Sequence, residues 1–425
     1  MPNSPKLKEL SFLVYGIGLS GISVIKFFKK NKIKKFEVWD DKQKYLLKKY
    51  RAKNLKKTLS RVDYIVLSPG ISLIKNKALR KYKKKIITDI DLFYLSKNKI
   101  KSIVVTGTNG KSTTCKLIEN LLKKNKFKCS LGGNIGKPIL DLKFSKNSYV
   151  IIEASSFQLS HSQFIRPDFA FFLNLTIDHL DWHGSMNSYL NSKLKIFRHQ
   201  TKNHFAFANK NIKKIFKKRK YSSKFIEPKL REYKKIKNKI KNNYLISKIN
   251  DENMSYIYSL SKVFKISEKS FIHSMKSFKG LSHRFEIFLK KKNVMFINDS
   301  KATSFVASSS AISSLSNIYW IIGGLPKKGD KIKLLNLKKN ITKCYLIGKN
   351  IKFFKQQIKD TLVYSITKNL RNSIIQIFKD IRLQKKGDKS VLLSPAAASF
   401  DQFKNFEERG DEFKKLCKIY ARKYF

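Results

Sequence analysis

Acidic residues are scarce in this chain: 29 Asp and Glu stand against 92 Lys and Arg over 425 residues, a formal charge of +63. Such an excess normally marks a nucleic-acid or anionic-membrane partner. The lysines, however, sit on nearly every polar segment beside Asn, Ile and Phe, not as one stripe interleaved with aromatics. No specific nucleic-acid surface is expected. Cysteine is equally sparse. Cys115, Cys129, Cys344 and Cys417 lie far apart and form no C-x-x-C pair, which excludes a disulfide framework and a thiolate metal site and fits a reducing cytoplasm. Long apolar runs are also missing. Nothing approaches the ~20 residues that span a bilayer, and the stretch from Met1 to Lys6 holds no apolar leader core, so a soluble, cytoplasmic chain without membrane contact is expected.

What is present begins with one stretch, Ile103-Val-Val-Thr-Gly107-Thr-Asn-Gly110-Lys111-Ser112-Thr113-Thr114. A short apolar run enters a glycine-bearing turn and leaves as a helix from Thr114 to Lys124, which is how a phosphate-binding loop reads. Two glycines let backbone N–H groups turn onto an anion, and Lys111 supplies a charge for the outer phosphates. The hydroxyl of Ser112 or Thr113 reaches a magnesium ion, and the helix aims its positive end at the same place. The first glycine stands at 107, not at 105 as in G-x-x-x-x-G-K-[ST], so the cradle is short.

At this length two or three domains are expected, and 42% hydrophobic residues suffice to fill them. Leu10 to Tyr15 reads as a strand, followed by Gly16-Ile-Gly18-Leu-Ser-Gly21 and an amphipathic run from Ile22 to Lys29. That matches the dinucleotide fingerprint in form, and equally a tight strand-to-helix turn with no ligand. A second strand, Phe36 to Trp39, ends in Asp40-Asp41, where a carboxylate holds a ribose or a base edge or only a solvated turn. A third ends in Ser68-Pro-Gly70. Beyond the phosphate loop, Tyr149 to Glu153 is an apolar strand that stops on a carboxylate, costly to bury without a metal or a partner. Ser155 and Ser156 after it also read as a helix cap. The next strand, Phe169 to Leu173, opens on Asn174, Asp178, His179, Asp181 and His183. Without H-E-x-x-H this is not a zinc-hydrolase pattern, and a hard-metal site sharing one histidine fits better. Tyr189 to Phe197 reads as an ordinary basic helix, and Lys210 to Lys241 as short strands and loops. A last alternating unit holds four strands that end in polar or glycine residues, among them Val294 to Ile297 before Asn298-Asp299-Ser300-Lys301-Ala302-Thr303, and Ser390 to Leu393 before Ser394.

In this order the landmarks resemble the Mur ligases of peptidoglycan synthesis over nearly the whole chain. The short phosphate loop, Glu153 with Ser155-Ser-Phe-Gln158, Asn174 with Asp178-His179, His283-Arg284-Phe285 and the segment from Asn298 to Thr303 carry the likeness. The tail from Ser394 to Gly410, with Gly16-x-Gly18-x-x-Gly21, resembles the D-glutamate-adding branch. Folylpolyglutamate synthases share some of these landmarks but not the amino-terminal glycine-rich unit.

The resemblance implies an α/β fold of three domains: a Rossmann-like, UDP-substrate-binding domain over residues 1–95, a central P-loop ATPase-like, ATP-binding domain over 96–281, and a Rossmann-like, amino-acid-binding domain over 282–425. It implies that ATP phosphorylates the carboxylate of UDP-N-acetylmuramoyl-L-alanine and that the amine of D-glutamate attacks the acyl phosphate, in a monomer using Mg2+. Lys111, Glu153, His179 and Lys193 would be catalytic. The phosphates would lie on Gly107, Thr108, Asn109, Gly110, Lys111, Ser112 and Thr113, with Asn253, Arg284 and Asp299 handling the rest of the nucleotide. Ser112, Glu153, His179 and Lys193, the last matching a lysine that is carbamylated in relatives, would bind metal. The UDP end would rest on Leu19, Ser20, Asp40, Asp41 and Gly70, with Asn134 nearby. D-Glutamate would meet Lys301, Thr303, Lys327, Ser399, Phe400 and Phe406. Two stretches depart from the family pattern: Asn209-Lys210 replaces an Asp pair, and Gly323 to Asp330 carries Pro326 and a second lysine, Lys328.

Overall fold

The computed structural model describes residues 7–43, 47–96, 100–145, 147–242, 244–245, 250–327, 329–332, 335–384 and 387–425; Lys328 lies outside them. The chain folds as two compact units, Met1–Lys239 with Glu252–Lys276, and Ile240–Asp251 with Ser277–Phe425.

The first unit carries two sheets. β1 (Phe12–Tyr15), β2 (Phe36–Trp39), β3 (Tyr64–Leu67) and β4 (Ile86–Ile87) form a parallel sheet in the order β2-β1-β3-β4. β5 (Lys101–Thr106), β6 (Cys129–Gly133), β7 (Tyr149–Glu153), β8 (Phe169–Phe172), β9 (Phe205–Ala208) and β10 (Lys224–Ile226) form the second, parallel throughout, in the order β10-β9-β8-β5-β7-β6. Strands buried on both faces read as continuous apolar runs, which is why Ile103 to Val105 and Val150 to Ile152 show no alternation. The pairs Phe169–Phe205 and Phe171–Phe207, in register on β8 and β9, stack with ring planes 4° and 2° apart. Each such pair adds ~1 kcal/mol beyond its buried area. β5 lies where the strand order reverses, so its carboxyl end opens on the crevice in which α/β sheets bind ligands.

The second unit has one mixed sheet. β11 (Glu286–Lys291) pairs antiparallel with β12 (Val294–Asn298), and β13 (Ile318–Gly323), β14 (Ile341–Ile347), β15 (Tyr364–Lys368) and β16 (Lys389–Leu393) join it in parallel, in the order β11-β12-β16-β13-β14-β15. Six strands thus stand where the sequence suggests four.

Lys210 to Lys241 is not mainly loop. Helices occupy Lys210–Lys218 and Leu230–Ile236, with β10 between them. The lysine excess hides a sparse apolar face: Ile212 and Phe216, four residues apart, are buried. Asn209, at the departure from the family's Asp pair, is this helix's N-cap, its side-chain oxygen accepting from Asn211 and Ile212 backbone N–H at 3.1 and 3.2 Å. The long segment of the second unit begins at Ser277, just before the Gly280 to Glu286 stretch. No helix among the described residues is long and apolar enough to cross a membrane.

Candidate nucleotide and metal site

The helix after β5 runs from Lys111 to Lys124, three residues earlier than the sequence suggests, because Gly110 is its N-cap in the left-handed region at φ +81°. A Cβ there would also strike the side-chain amide of Asn253, so glycine is required on two counts. Leu117, Ile118, Leu121 and Leu122 bury the helix against the sheet and leave its first turn facing the loop. Asn174, at the end of β8, holds that loop in shape. Its carbonyl accepts from Thr108 N–H at 3.0 Å and its side-chain oxygen from Asn109 N–H at 2.9 Å. Asn253 is buried and accepts from the Thr114 hydroxyl at 3.4 Å, which puts this expected nucleotide residue beside the loop.

The Lys111 amine donates to the carbonyls of Gly107 at 3.0 Å and Thr108 at 2.8 Å. Ser112 and Thr113 are buried in the first helical turn. Glu153, 1% exposed at the end of β7, accepts from the Asn134 side-chain amide at 2.9 Å through one oxygen. Its other oxygen is buried with no hydrogen-bond partner among the described residues. A carboxylate oxygen so placed lacks the compensation that burial demands. One carboxylate with a hydroxyl and phosphate oxygens suits magnesium, which keeps several waters, so these residues fit the ion. No group of three or more His, Cys, Asp or Glu that could hold a metal occurs among the described residues, so the expected histidine-sharing metal knot does not close on protein ligands alone. His179 is half-exposed in the left-handed region, 3.5 Å from Asp178 and packed on Phe157.

Lys193 overturns its ordinary reading. It is 1% exposed, and its amine donates to the Gly107 carbonyl at 2.8 Å and lies 4.6 Å from the centre of the Tyr189 ring. Burial above all, and the charge of Lys111, hold it well below the usual lysine range, with Asp178 opposing. His183, the partner of His179 in the sequence pattern, is buried with its Nε2 2.9 Å from the Ser156 hydroxyl, and burial together with His179 and Lys193 lowers it to about 4. The serines after Glu153 do form a cap: Ser155 and Gln158 make a capping box.

In the first sheet, Gly21 packs on the Gly16 carbonyl, while the space a Cβ on Gly18 would enter is open. Asp40 accepts from Ile17 N–H at 2.7 Å, tying the end of β2 to the glycine turn, and Asp41 accepts from Tyr15 at 3.0 Å and Trp39 at 2.9 Å. Burial pushes the Asp40 carboxyl up, but N–H donors from Ile17, Gln43 and Lys42 and the charge of Arg51 outweigh it and hold it low. Leu19 and Gly70 are exposed and Ser20 half-buried on the same rim.

In the second unit, Asp299 follows β12 and accepts from the Ser394 hydroxyl at 2.7 Å and Phe285 N–H at 3.1 Å. Burial raises it to about 7 against these bonds and the nearby charge of Arg284. Lys301 lies 4.1 Å from the centre of the Phe406 ring. Ser399 is buried, Thr303 half-buried, and Lys327 and Phe400 exposed. Sequence reasoning missed Arg409. It is 1% exposed and donates to the Ser300 hydroxyl and carbonyl at 3.0 and 2.7 Å and to the Ala397 carbonyl at 3.0 Å, clasping the two loops that carry Lys301 and Ser399. Its only signal is a lone arginine inside the tail motif.

A parallel α/β sheet with a glycine-and-lysine loop at its switch point defines a phosphate-loop nucleotide-binding protein. The model of the Mur ligase middle domain matches residues 105–278. The UDP-N-acetylmuramoylalanine–D-glutamate ligase of Rickettsia prowazekii is 36% identical over 97% of this chain and 98% of its own length. That of a Wolbachia from Brugia malayi is 34% identical over 98% and 97%. Among solved structures, the MurF ligase of Thermotoga maritima in complex with ADP superposes with a TM-score of 0.56 at 14% identity, over 99% of this chain and 97% of that one. The UDP-N-acetylmuramate–alanine ligase MurC of the same organism gives 0.57 at 15%, over 97% and 100%, and both share the fold. The chain belongs to the Mur ligase family, among its UDP-N-acetylmuramoylalanine–D-glutamate ligases.

Proposed function

We propose that the chain is an ADP-forming ligase that joins D-glutamate to UDP-N-acetylmuramoyl-L-alanine through an acyl phosphate, in peptidoglycan precursor synthesis. The observation that carries this is the full-length match to D-glutamate ligases, together with a phosphate loop whose neighbouring carboxylate oxygen is buried and unpartnered.

Most of the catalysis is positioning and charge neutralisation. The Lys111 amine, now on loop carbonyls, exchanges them for the outer phosphates of ATP, and the N–H groups of the first helical turn meet the same oxygens. Glu153 and Ser112 would hold Mg2+, which would supply positive charge beside the phosphates. His179 and a carbamate on Lys193 would belong to a second metal position. Asn134 orients Glu153 through its 2.9 Å hydrogen bond and faces the sugar nucleotide. Asn253, Arg284 and Asp299 handle the nucleotide. Lys301, Thr303, Lys327, Ser399, Phe400 and Phe406 receive D-glutamate, its carboxylates meeting lysines and hydroxyls. The rim of Leu19, Ser20, Asp40, Asp41 and Gly70 takes the UDP end. Residues 1–95, 96–281 and 282–425 act as the UDP-substrate, ATP and amino-acid domains of a cytoplasmic monomer.

The deciding experiment is ADP release from purified protein given UDP-N-acetylmuramoyl-L-alanine and D-Glu, L-Lys, meso-diaminopimelate or L-Ala in turn. Turnover is expected with D-Glu alone. Robust turnover with a diamino acid and none with D-Glu would overturn the reading.

A further inference from the structure

The helix Met186–Arg198 keeps different company on its two sides. One buries Tyr189, Lys193, Leu194 and Phe197. Along the other, Ser188, Asn191, Ser192, Lys195 and Arg198 face a cavity of ≈ 860 Å³ whose far wall comes from Ser72–Ile74, from Lys83 and Lys84 ahead of β4, and from Ser160–Phe164. That volume is in the range of small-molecule sites, ~300–1,000 Å³. Lys83 and Lys84 precede β4 and Ser160–Phe164 close the carboxyl end of the helix Ser156–His161, whereas Gly70, the phosphate loop and Glu153 lie at carboxyl ends of strands. Ser72–Ile74, Trp182 and His183 come from the segments after β3 and β8, but none of Gly70, Gly107–Thr113 and Glu153 is among the lining residues, so the cavity is distinct from the phosphate-loop crevice.

Two independent features ask for a ligand there. First, no Asp or Glu is among the described residues that line the cavity, although Lys83 and Arg198 stand close enough to Lys195 to repel it. Among the described residues the Lys195 amine donates to the carbonyls of Ser160 at 2.6 Å and Ser162 at 2.9 Å. Asp91, the acid that acts on it, is already engaged with the Ser162 hydroxyl and with Gln163 and Phe164 N–H. Second, Trp182 and His183 close one end of the cavity with rings 4.6 Å apart, and the indole N–H and the His183 Nδ1 are both buried without a hydrogen-bond partner among the described residues.

We propose that this cavity is a second anion site, taking a phosphorylated small molecule of nucleotide size. Its phosphates meet Lys83, Lys84, Lys195 and Arg198, and a group carrying both donor and acceptor meets Trp182 and His183.

Direct titration calorimetry of the full chain with inorganic tripolyphosphate tests this without relying on ligase activity. Wild type is expected to show two saturable sites, one removed by Lys111→Ala and the other by Lys83→Ala/Lys84→Ala. Lys195→Met should weaken the second site roughly tenfold or more, the scale of one charge-assisted contact. The exposed pair Lys83 and Lys84 keeps the test decisive should Lys195→Met fail to fold. Lys217→Ala/Lys218→Ala removes the same charge elsewhere and should leave both sites intact. The proposal is overturned by a single wild-type site that Lys111→Ala abolishes, by a second site that survives Lys83→Ala/Lys84→Ala, or by equal weakening in the Lys217/Lys218 control.

Discussion

Lys193→Ala is the most informative perturbation of the ligase site. The ordinary lysine amine, with a pKa of ~10.4, is neutral in roughly one molecule in 10³ near pH 7.4, too rarely for carbon dioxide to find it often. Each unit of depression raises that fraction tenfold, and burial beside Lys111 depresses Lys193 strongly. That is the direction carbamate formation needs, because the reaction takes the neutral amine. Converting a cation into an anionic oxygen ligand beside the phosphates changes the local charge by two, and losing such a ligand should slow turnover by about 10³, or ~4 kcal/mol of barrier. ADP release under saturating substrates reads this directly. Lys193→Arg keeps the charge but cannot form the carbamate, so it should be as slow as the alanine variant. Short carboxylic acids should restore part of the activity to Lys193→Ala. Turnover within about tenfold of wild type in Lys193→Ala would refute the catalytic role. Full activity of wild type after rigorous removal of carbon dioxide would refute the carbamate.

Three further outcomes follow from the geometry. Gly110→Ala combines a left-handed backbone with a clash on Asn253, and should raise the KM for ATP and lower the unfolding free energy by ~1–3 kcal/mol; unchanged ATP binding would show that the loop tolerates a side chain there. Asp299, held at about 7 in the fold against ~3.9 unfolded, binds its proton only in the folded state between those values, so its contribution to stability falls as pH rises from about 4 to 7. Asp299→Asn should flatten that slope in urea titrations across pH, and an identical slope would contradict the raised value. Arg409→Met leaves the buried carbonyls of Ser300 and Ala397 without their donor, and should cost ~3 kcal/mol of unfolding free energy and raise the KM for D-glutamate while that for ATP stays put.

The sheets were legible where buried parallel strands leave unbroken apolar runs ending in glycine or acid, as at Val105 and Glu153. Helix Lys210–Lys218 was not, because only Ile212 and Phe216 mark its buried side and the lysines between them swamp the period. Lys193 was hidden for a related reason: in a chain with a lysine on most segments, its residue type carries no information, and only its 1% exposure separates it from the others. The resemblance nominated it, and its burial beside the phosphate loop is consistent with that nomination. Arg409 escaped because a guanidinium that binds carbonyls across two loops has no spacing signature. The extra start of the phosphate-loop helix depends on Gly110 serving as cap, a matter of its φ angle and not of periodicity.

The path of the chain between its two units has a practical consequence. Ile240–Asp251 is translated between two parts of the first unit yet folds into the second, where Asn242 donates to the Phe278 carbonyl at 2.8 Å and Tyr244 lies against Gly280. A ribosome therefore releases the pieces of each unit out of turn: the first is not complete until Lys276 has emerged, and by then a segment of the second has been waiting without its sheet. Cutting the gene at residue 277 would leave the first unit whole but strip the second of residues 240–251. A separable second unit would have to be rebuilt as a permuted gene, with residues 240–251 spliced back onto it.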